Sequence, residues 1–375
     1  LPSKSYRMST SKRIFFTINS KIRLKRSDYV YNKKINRLIH KTKVPSLNTG
    51  AKREILKRFA QYGFSNISLK WHQYYSGMHG SVHSDFVPEN LFYGHIEPAL
   101  NRVPLYPAWE DKASMEKFVD ESLTPNTLLK NCNGFYYIKD DILSLEEAIA
   151  FCSKLDQFVI KPSMGTWGGQ SVRKIELEGP KDKKKLLNEL FQEYKKDFVI
   201  QEILTQSPEL AKFNPTSINT MRVMSYLRPS GVVILSKLLR TGKEGSFTDN
   251  TSSGGVAFGV DAEGKLTDFG IDEFGVKTKN LGDDDRFKDF VFPQNEKIVA
   301  TIEKVHKQMP YFKLVSWDVT VNDKSEVKII EFNTFGQGIN LHQITNGPLF
   351  REYFDEIMEI AKSYDKVADV MSYPG

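Results

Sequence analysis

The sequence holds only two cysteines, Cys132 and Cys152, in 375 residues, and their spacing suits neither a disulfide framework nor a thiolate metal site. A reducing, cytoplasmic setting is the resulting expectation. No apolar run approaches the roughly 20 residues that a membrane-spanning helix requires, and no signal-peptide core is present. Internal repeats and long low-complexity tracts are missing too. So is the G-x-x-x-x-G-K-[ST] loop that cradles phosphates in many nucleotide-binding proteins. The chain begins at Leu1, and Met8 is the expected natural start. What remains is an ordinary globular composition, 40% apolar and 26% charged, long enough for two or three domains.

Acidic residues are scarce at one end. Residues 1–60 carry 17 lysines and arginines against two acids, a net of +15, so the remainder is about −8 within an overall charge of +7. Such asymmetry points to an anionic partner for the N-terminal segment: a phospholipid surface, an acidic polysaccharide or a nucleic acid. Residues 11–43 mix basic residues with Ile14, Phe15, Phe16, Ile18, Ile22, Leu24, Tyr29, Ile35, Leu38 and Ile39, as in helical pieces with one apolar side. "AKREILKRFAQYGF" (51–64) reads as an amphipathic helix stopped by Gly63. Asp111 is placed to cap a helix running to about Glu121. "SLEEAIAFCSKL" opens with a Ser-x-x-Glu capping box.

From Phe158 onward the texture changes to short β-branched runs at 158–161, 171–176, 198–203, 218–228, 231–240, 255–260, 313–321 and 326–333. A lysine-rich helix separates the second from the third. Tight turns at 228–231 and 322–325 join neighbouring runs directly, which predicts antiparallel hairpins in an α+β domain.

Three stretches carry chemistry. In "FVIKPSMGTWGGQSVRKI", Lys161 ends a strand and Gly165, Gly168 and Gly169 follow. Glycine lacks a Cβ and reaches positive φ cheaply, so such a loop lets backbone N–H groups approach an anion. In "LVSWDVTVNDKSEVKIIEFNT", Asp318 sits on one strand, with Glu331 and Asn333 on the next. Residues two apart share a strand face, so Glu331 and Asn333 project together while Ile330 and Phe332 take the other side. Two carboxylates and an amide oxygen form a hard-oxygen set suited to Mg²⁺. In residues 218–260, Thr220, Arg222 and Met224 share one strand face, and Arg240 ends the following strand with Lys237 further back. Arginine's planar fork fits phosphate and carboxylate. Asn250, in "TDNTSSGG", is a further candidate for a metal or phosphate contact. Gln201 and Glu202, after the apolar strand of "FVIQEIL", can present acceptors to a base amino group.

Taken in order, "VIKPSMGTWGGQSV", "VIQEIL", "NTMRV", "LLRTG", "DNTSSGG", "WDVTV" and "IIEFNT" resemble the ATP-grasp superfamily, and most of all its sugar-transfer-associated group. The resemblance covers roughly residues 105–345. It implies an α+β fold in which two subdomains with antiparallel sheets sandwich ATP, beside a basic, partly helical N-terminal region. On that reading the chain divides into a basic helical segment (1–64), a preceding N-terminal region (65–156), a nucleotide-lid subdomain (157–205) and a C-terminal catalytic subdomain (206–375). Lys161 would hold the α/β-phosphates, with the loop of Gly165, Gly168 and Gly169 folding over them as a flap. Lys112 of "WEDKAS" would also reach the nucleotide, and Gln201, Glu202 and Ile203 would form the adenine hinge. Asp318, Glu331 and Asn333 would hold two Mg²⁺ ions, with Arg222, Arg240 and Asn250 facing the γ-phosphate and an acyl phosphate. After the last motif "EFNTFGQGINLHQ" departs from many relatives in lacking a proline–glycine step.

The implied activity is ATP-dependent ligation of a carboxylate to an amine, with release of ADP and phosphate, on a sugar or surface-polysaccharide building block such as a capsule precursor. The partners are then a small-molecule carboxylate and an amine or glycan acceptor. The basic segment would give peripheral contact with an anionic inner membrane face or an acidic polysaccharide. Two other readings stay open: phosphoryl transfer to a glycan-related acceptor, and a basic nucleic-acid-binding module. A catalytic histidine placed outside the core would favour the former, but no local signature singles out any of the seven. Against the latter, the basic residues lie apart from the acids and no RNA-binding motif occurs.

Overall fold

The computed structural model describes residues 10–165, 171–177, 182–243, 245, 254–281, 287 and 289–364. The chain forms two compact units, one of Leu1–Leu100 with Gly347–Gly375 and one of Asn101–Asn346.

The first unit is helical. Thr10–Thr42 is a single helix rather than separate pieces, and its C-terminal part buries Ile35 and Leu38. Asn48 caps the helix Thr49–Ala60 by accepting from the Ala51 N–H at 2.8 Å, and the i, i+4 pair Ile55 and Phe59 faces inward. Phe59 meets the edge of Phe354, from the C-terminal helix Phe354–Ser363, at 5.4 Å. Beside that contact Asp355 takes Arg58 at 2.6 Å and the Tyr62 hydroxyl at 2.5 Å. Residues 347–364 therefore group with the first hundred residues, whereas the sequence reading attached them to the catalytic subdomain.

The second unit is the α+β body, with two wholly antiparallel sheets among its described residues. The six-stranded sheet contains β1 (Thr127–Cys132), β2 (Phe135–Ile138), β3 (Asp141–Leu143), β4 (Gln157–Pro162), β5 (Arg173–Glu176) and β6 (Phe198–Gln201), in the order β3-β2-β1-β6-β4-β5. Leu129, Phe158, Ile160, Phe198 and Ile200 pack beneath the helices Leu145–Cys152 and Lys183–Tyr194. Alternation then sends Lys130, Val199 and Lys161, which are successive ladder partners, to the opposite face. Ser144 forms the expected capping box with Glu147. Asp111 also caps, but what it caps is a 3₁₀ run, Lys112–Lys117, instead of an α-helix reaching Glu121. Strands β1 to β3 come from a stretch read above as lying before the sheet.

The seven-stranded sheet contains β7 (Thr220–Arg228), β8 (Gly231–Thr241), β9 (Val256–Val260), β10 (Phe269–Ile271), β11 (Lys277–Asn280), β12 (Leu314–Val321) and β13 (Val327–Asn333). Its order is β11-β10-β9-β8-β7-β12-β13, and the hairpins at 228–231 and 322–325 are present. Met221, Val223, Leu239, Trp317, Val319 and Phe332 pack against the helix Asn295–His306. The register shifts between Asp318 and Val319, where Asp318 pairs with Glu331 but Val319 pairs with Ile329. One extra residue on β13 is thereby left over. Ile329, not Ile330, joins Phe332 in the core, and Ile330 is half-buried.

Candidate active site

The bulge fixes which side chains share the sheet's polar face. Asp318 pairs with Arg222 on one side and with Glu331 on the other, Ser316 pairs with Asn333, and Thr220 pairs with Arg240. Cross-strand partners lie on the same face, so four strands bring these groups together. Arg222 grips Asp318 through two hydrogen bonds, Nε to Oδ1 at 2.7 Å and Nη2 to Oδ2 at 2.6 Å. Arg240 Nη2 adds a third to Oδ2 at 3.2 Å. The Asp318 side chain is only 2% exposed, so this pairing is what permits a charged carboxylate there.

A cleft of about 290 Å³ opens over this face, lined by Lys112, Gly165, Arg222, Arg240, Glu331 and Asn333 among others. Lys112 is tied in twice. Its N–H donates to the Ser163 carbonyl at 3.0 Å, at the end of β4, and its Nζ stands 3.3 Å from Glu331. Gly165 has φ +71, a conformation that glycine adopts without strain. The Lys161 side chain is buried and makes no ion pair or hydrogen bond among the described residues. Burial, helped by the nearby Lys112 charge and opposed by Glu331, lowers its pKa to about 8. Gly168, Gly169 and Asn250 lie outside the described residues.

The hinge candidates are placed differently. Gln201 donates to Thr127 Oγ1 at 3.0 Å, and Glu202 accepts from Asn126 at 2.9 Å. Glu202 and Ile203 line a second cleft of about 660 Å³, which also includes Lys130 and Glu116. None of its lining residues lines the first cleft. Lys130 is a basic group that sequence reasoning passed over. It shares the ladder of Lys161 and pairs with Glu116. Only the period-2 pattern of "TLLKNC" could have signalled it. Glu110 was missed as well, although it lies within the WEDKAS motif that gave Lys112, and it lines the first cleft.

For a divalent cation the donors are Asp318, Glu331 and the Asn333 amide. No group of three or more His, Cys, Asp or Glu side chains with metal-holding geometry occurs among the described residues. The set therefore suits an ion that completes its shell with phosphate and water oxygens, as Mg²⁺ does. Glu331 and the Asn333 amide, which forms no hydrogen bond among the described residues, both border the cleft. Asp318 would have to share its oxygens with two guanidinium groups. Counting Lys112, Lys161, Arg222 and Arg240 against Glu110, Asp318 and Glu331, the cluster is net positive and attracts a polyanion before a metal ion.

The buried lysine also has a thermodynamic signature. Its folded pKa of about 8 lies below the ordinary 10.5. Between those values the unfolded chain binds more protons, so stability rises with pH across that window. Urea unfolding of the wild type and of Lys161→Met over this range should show the wild type gaining stability relative to the variant. Parallel pH profiles would mean that Lys161 is not desolvated.

No protein with a curated description matches the chain in sequence. Likeness to solved structures is distant. The biotin carboxylase domain of Hydrogenobacter thermophilus 2-oxoglutarate carboxylase, crystallised with MgADP and bicarbonate, aligns at 13% identity and TM-score 0.40 over 68% of this chain and 46% of that one. L-amino acid ligase from Bacillus licheniformis gives 11%, 0.39, 72% and 50% on the same four measures. D-alanyl-alanine synthetase A from Vibrio cholerae gives 11%, 0.37, 70% and 63%. The chain spans about half the length of the first two. A family model matches residues 93–359, the stretch that holds both clefts and every described residue of the cluster over β7, β8, β12 and β13. The chain belongs to the sugar-transfer associated ATP-grasp family.

Proposed function

We propose that this chain is an ATP-dependent ligase that activates a carboxylate as an acyl phosphate and joins it to an amine on a sugar or surface-polysaccharide building block. The observation that carries the reading is the gathering in one cleft of Lys112, Glu331 and Asn333 with two arginines braced on Asp318. Lys112 and Lys161 would bind the phosphates, the Lys161 ammonium being worth most because it is desolvated. The loop from Ser163, with Gly165, Gly168 and Gly169, would close over them and keep water from the acyl phosphate. Arg222 and Arg240, held in fixed orientation, would stabilise charge on the transferring phosphoryl group, with Asn250 alongside. Gln201, Glu202 and Ile203 would border the base. Magnesium, held by Glu331, Asn333 and a shared Asp318, would neutralise phosphate charge and align the oxygens.

An ATP-consumption screen of amino acids against uronic and amino sugars tests the activity. ADP and phosphate should appear, and Glu331→Gln should lower the rate about 10²-fold or more. AMP and pyrophosphate as products would overturn the acyl-phosphate route.

A second element of the proposal is peripheral contact with an anionic membrane. The helix Thr10–Thr42 carries ten basic residues and one acid, and no helix of the described residues is long and apolar enough to cross a bilayer. Ile18, Ile22 and Tyr29 are exposed and fall on one helical stripe beside Lys25. A basic helix with an open apolar stripe suits an anionic surface. Removing residues 1–48 is too coarse a test, because Ile35, Leu38, Val44 and Leu47 are buried. The double variant Ile18→Asp, Ile22→Asp should instead lose flotation with anionic vesicles while keeping its helical circular dichroism. Equal flotation of both proteins, or none by the wild type at low salt, would contradict membrane contact.

A further inference from the structure

The first cleft contains a carboxylate that the nucleotide chemistry does not use. Glu110 Oε1 accepts three hydrogen bonds, from the Thr334 N–H at 2.5 Å, the Thr334 hydroxyl at 2.9 Å and the Phe335 N–H at 3.0 Å. Those donors follow directly on Asn333, so the carboxylate is locked to the end of the strand that borders the cleft. Among the described residues no donor reaches Oε2, and Glu110 is one of the cleft's lining residues. Burial raises its pKa, while the three donors and the nearby Lys112 charge oppose the rise. A carboxylate fixed through one oxygen, on a residue that lines a ligand cleft, is an arrangement for binding and deprotonating an ammonium group.

The wall beside it is aromatic. Tyr106 lines the cleft and stacks on Phe335 with ring centroids 4.7 Å apart and planes 24° from parallel. Phe335 is the residue whose N–H holds Glu110, so the flat ring surface and the free oxygen are anchored to the same turn. The C–H face of a pyranose packs against such a surface, whereas a flexible alkyl amine gains little from its flatness.

We infer that Glu110 receives the incoming amine, and that this amine belongs to an amino sugar whose ring lies against Tyr106. The inference rests on the ligase reading above. Glu110 takes one proton from the ammonium group. The freed nitrogen lone pair forms the C–N bond to the acyl carbon. The bond from that carbon to the phosphate oxygen then breaks, and phosphate departs with the electron pair. The second nitrogen proton goes to the departing phosphate, and Glu110 returns its own proton to solvent as the amide leaves. Atoms and charge balance without any further reactant.

Glu110→Gln separates this role from simple bracing of the turn. An amide oxygen still accepts from Thr334 and Phe335, but the negative charge is gone. With the full chain saturated by a non-hydrolysable ATP analogue and magnesium, calorimetry with glucosamine, N-acetylglucosamine and glucose reads the amine preference. Glucosamine should bind the wild type about tenfold or more tightly than the other two. That preference should vanish in Glu110→Gln while analogue affinity holds, and Tyr106→Ala should weaken glucosamine binding. Three outcomes overturn the inference: glucosamine no better than glucose, a preference that survives in Glu110→Gln, or no saturable glucosamine binding. Failure of the wild type to bind the ATP analogue would instead strike at the ligase reading itself.

Discussion

The site depends on one ion cluster, the Asp318 carboxylate held between Arg222 and Arg240. Two guanidinium groups placed side by side on neighbouring strands repel each other, and a carboxylate that is almost wholly buried cannot stay charged without partners. Each makes the other tolerable. Asp318 fixes the direction of both guanidinium groups, and both arginines line the cleft. The sheet enforces this pairing, because Asp318 and Arg222 are direct ladder partners and Arg240 sits one strand further on. Such pre-organisation lowers the reorganisation needed when charge develops in a reaction.

A second constraint is the bulge beside Asp318. Without the extra residue, a strict two-residue alternation along β13 would place Ile330 with Phe332 in the core, as the sequence alone suggests. The shift instead seats Ile329 among the core residues, and Glu331 and Asn333 still face the cleft together. Core packing and site geometry are thus decoupled by a single inserted position, a device that costs one ladder pairing and lets each side of the strand meet its own demands.

Much of this was legible beforehand. Asp318, Glu331, Asn333, Arg222 and Arg240 each stand out as charged or amide groups inside otherwise apolar strands, and the tight turns at 228–231 and 322–325 set their pairing. What stayed hidden has physical reasons. β1, β2 and β3 are short and half-exposed, so their alternation is too weak to separate from loop sequence. Lys130 was lost with them. Glu110 lies in irregular backbone, where no periodicity marks orientation, and only the Thr334 turn shows how its carboxylate is held. The grouping of Phe354 with Phe59 spans nearly the whole chain, and no local pattern encodes so distant a contact.

With Asp318 committed to two arginines, the described side chains leave the cleft net cationic, and magnesium should enter with the polyphosphate rather than ahead of it. Titration calorimetry on the full chain measures this directly, with magnesium chloride alone and with a magnesium-free ATP analogue. The expected result is saturable binding of the analogue and none of the metal alone. Saturable binding of magnesium to the nucleotide-free protein, tighter than that of the analogue, would contradict it.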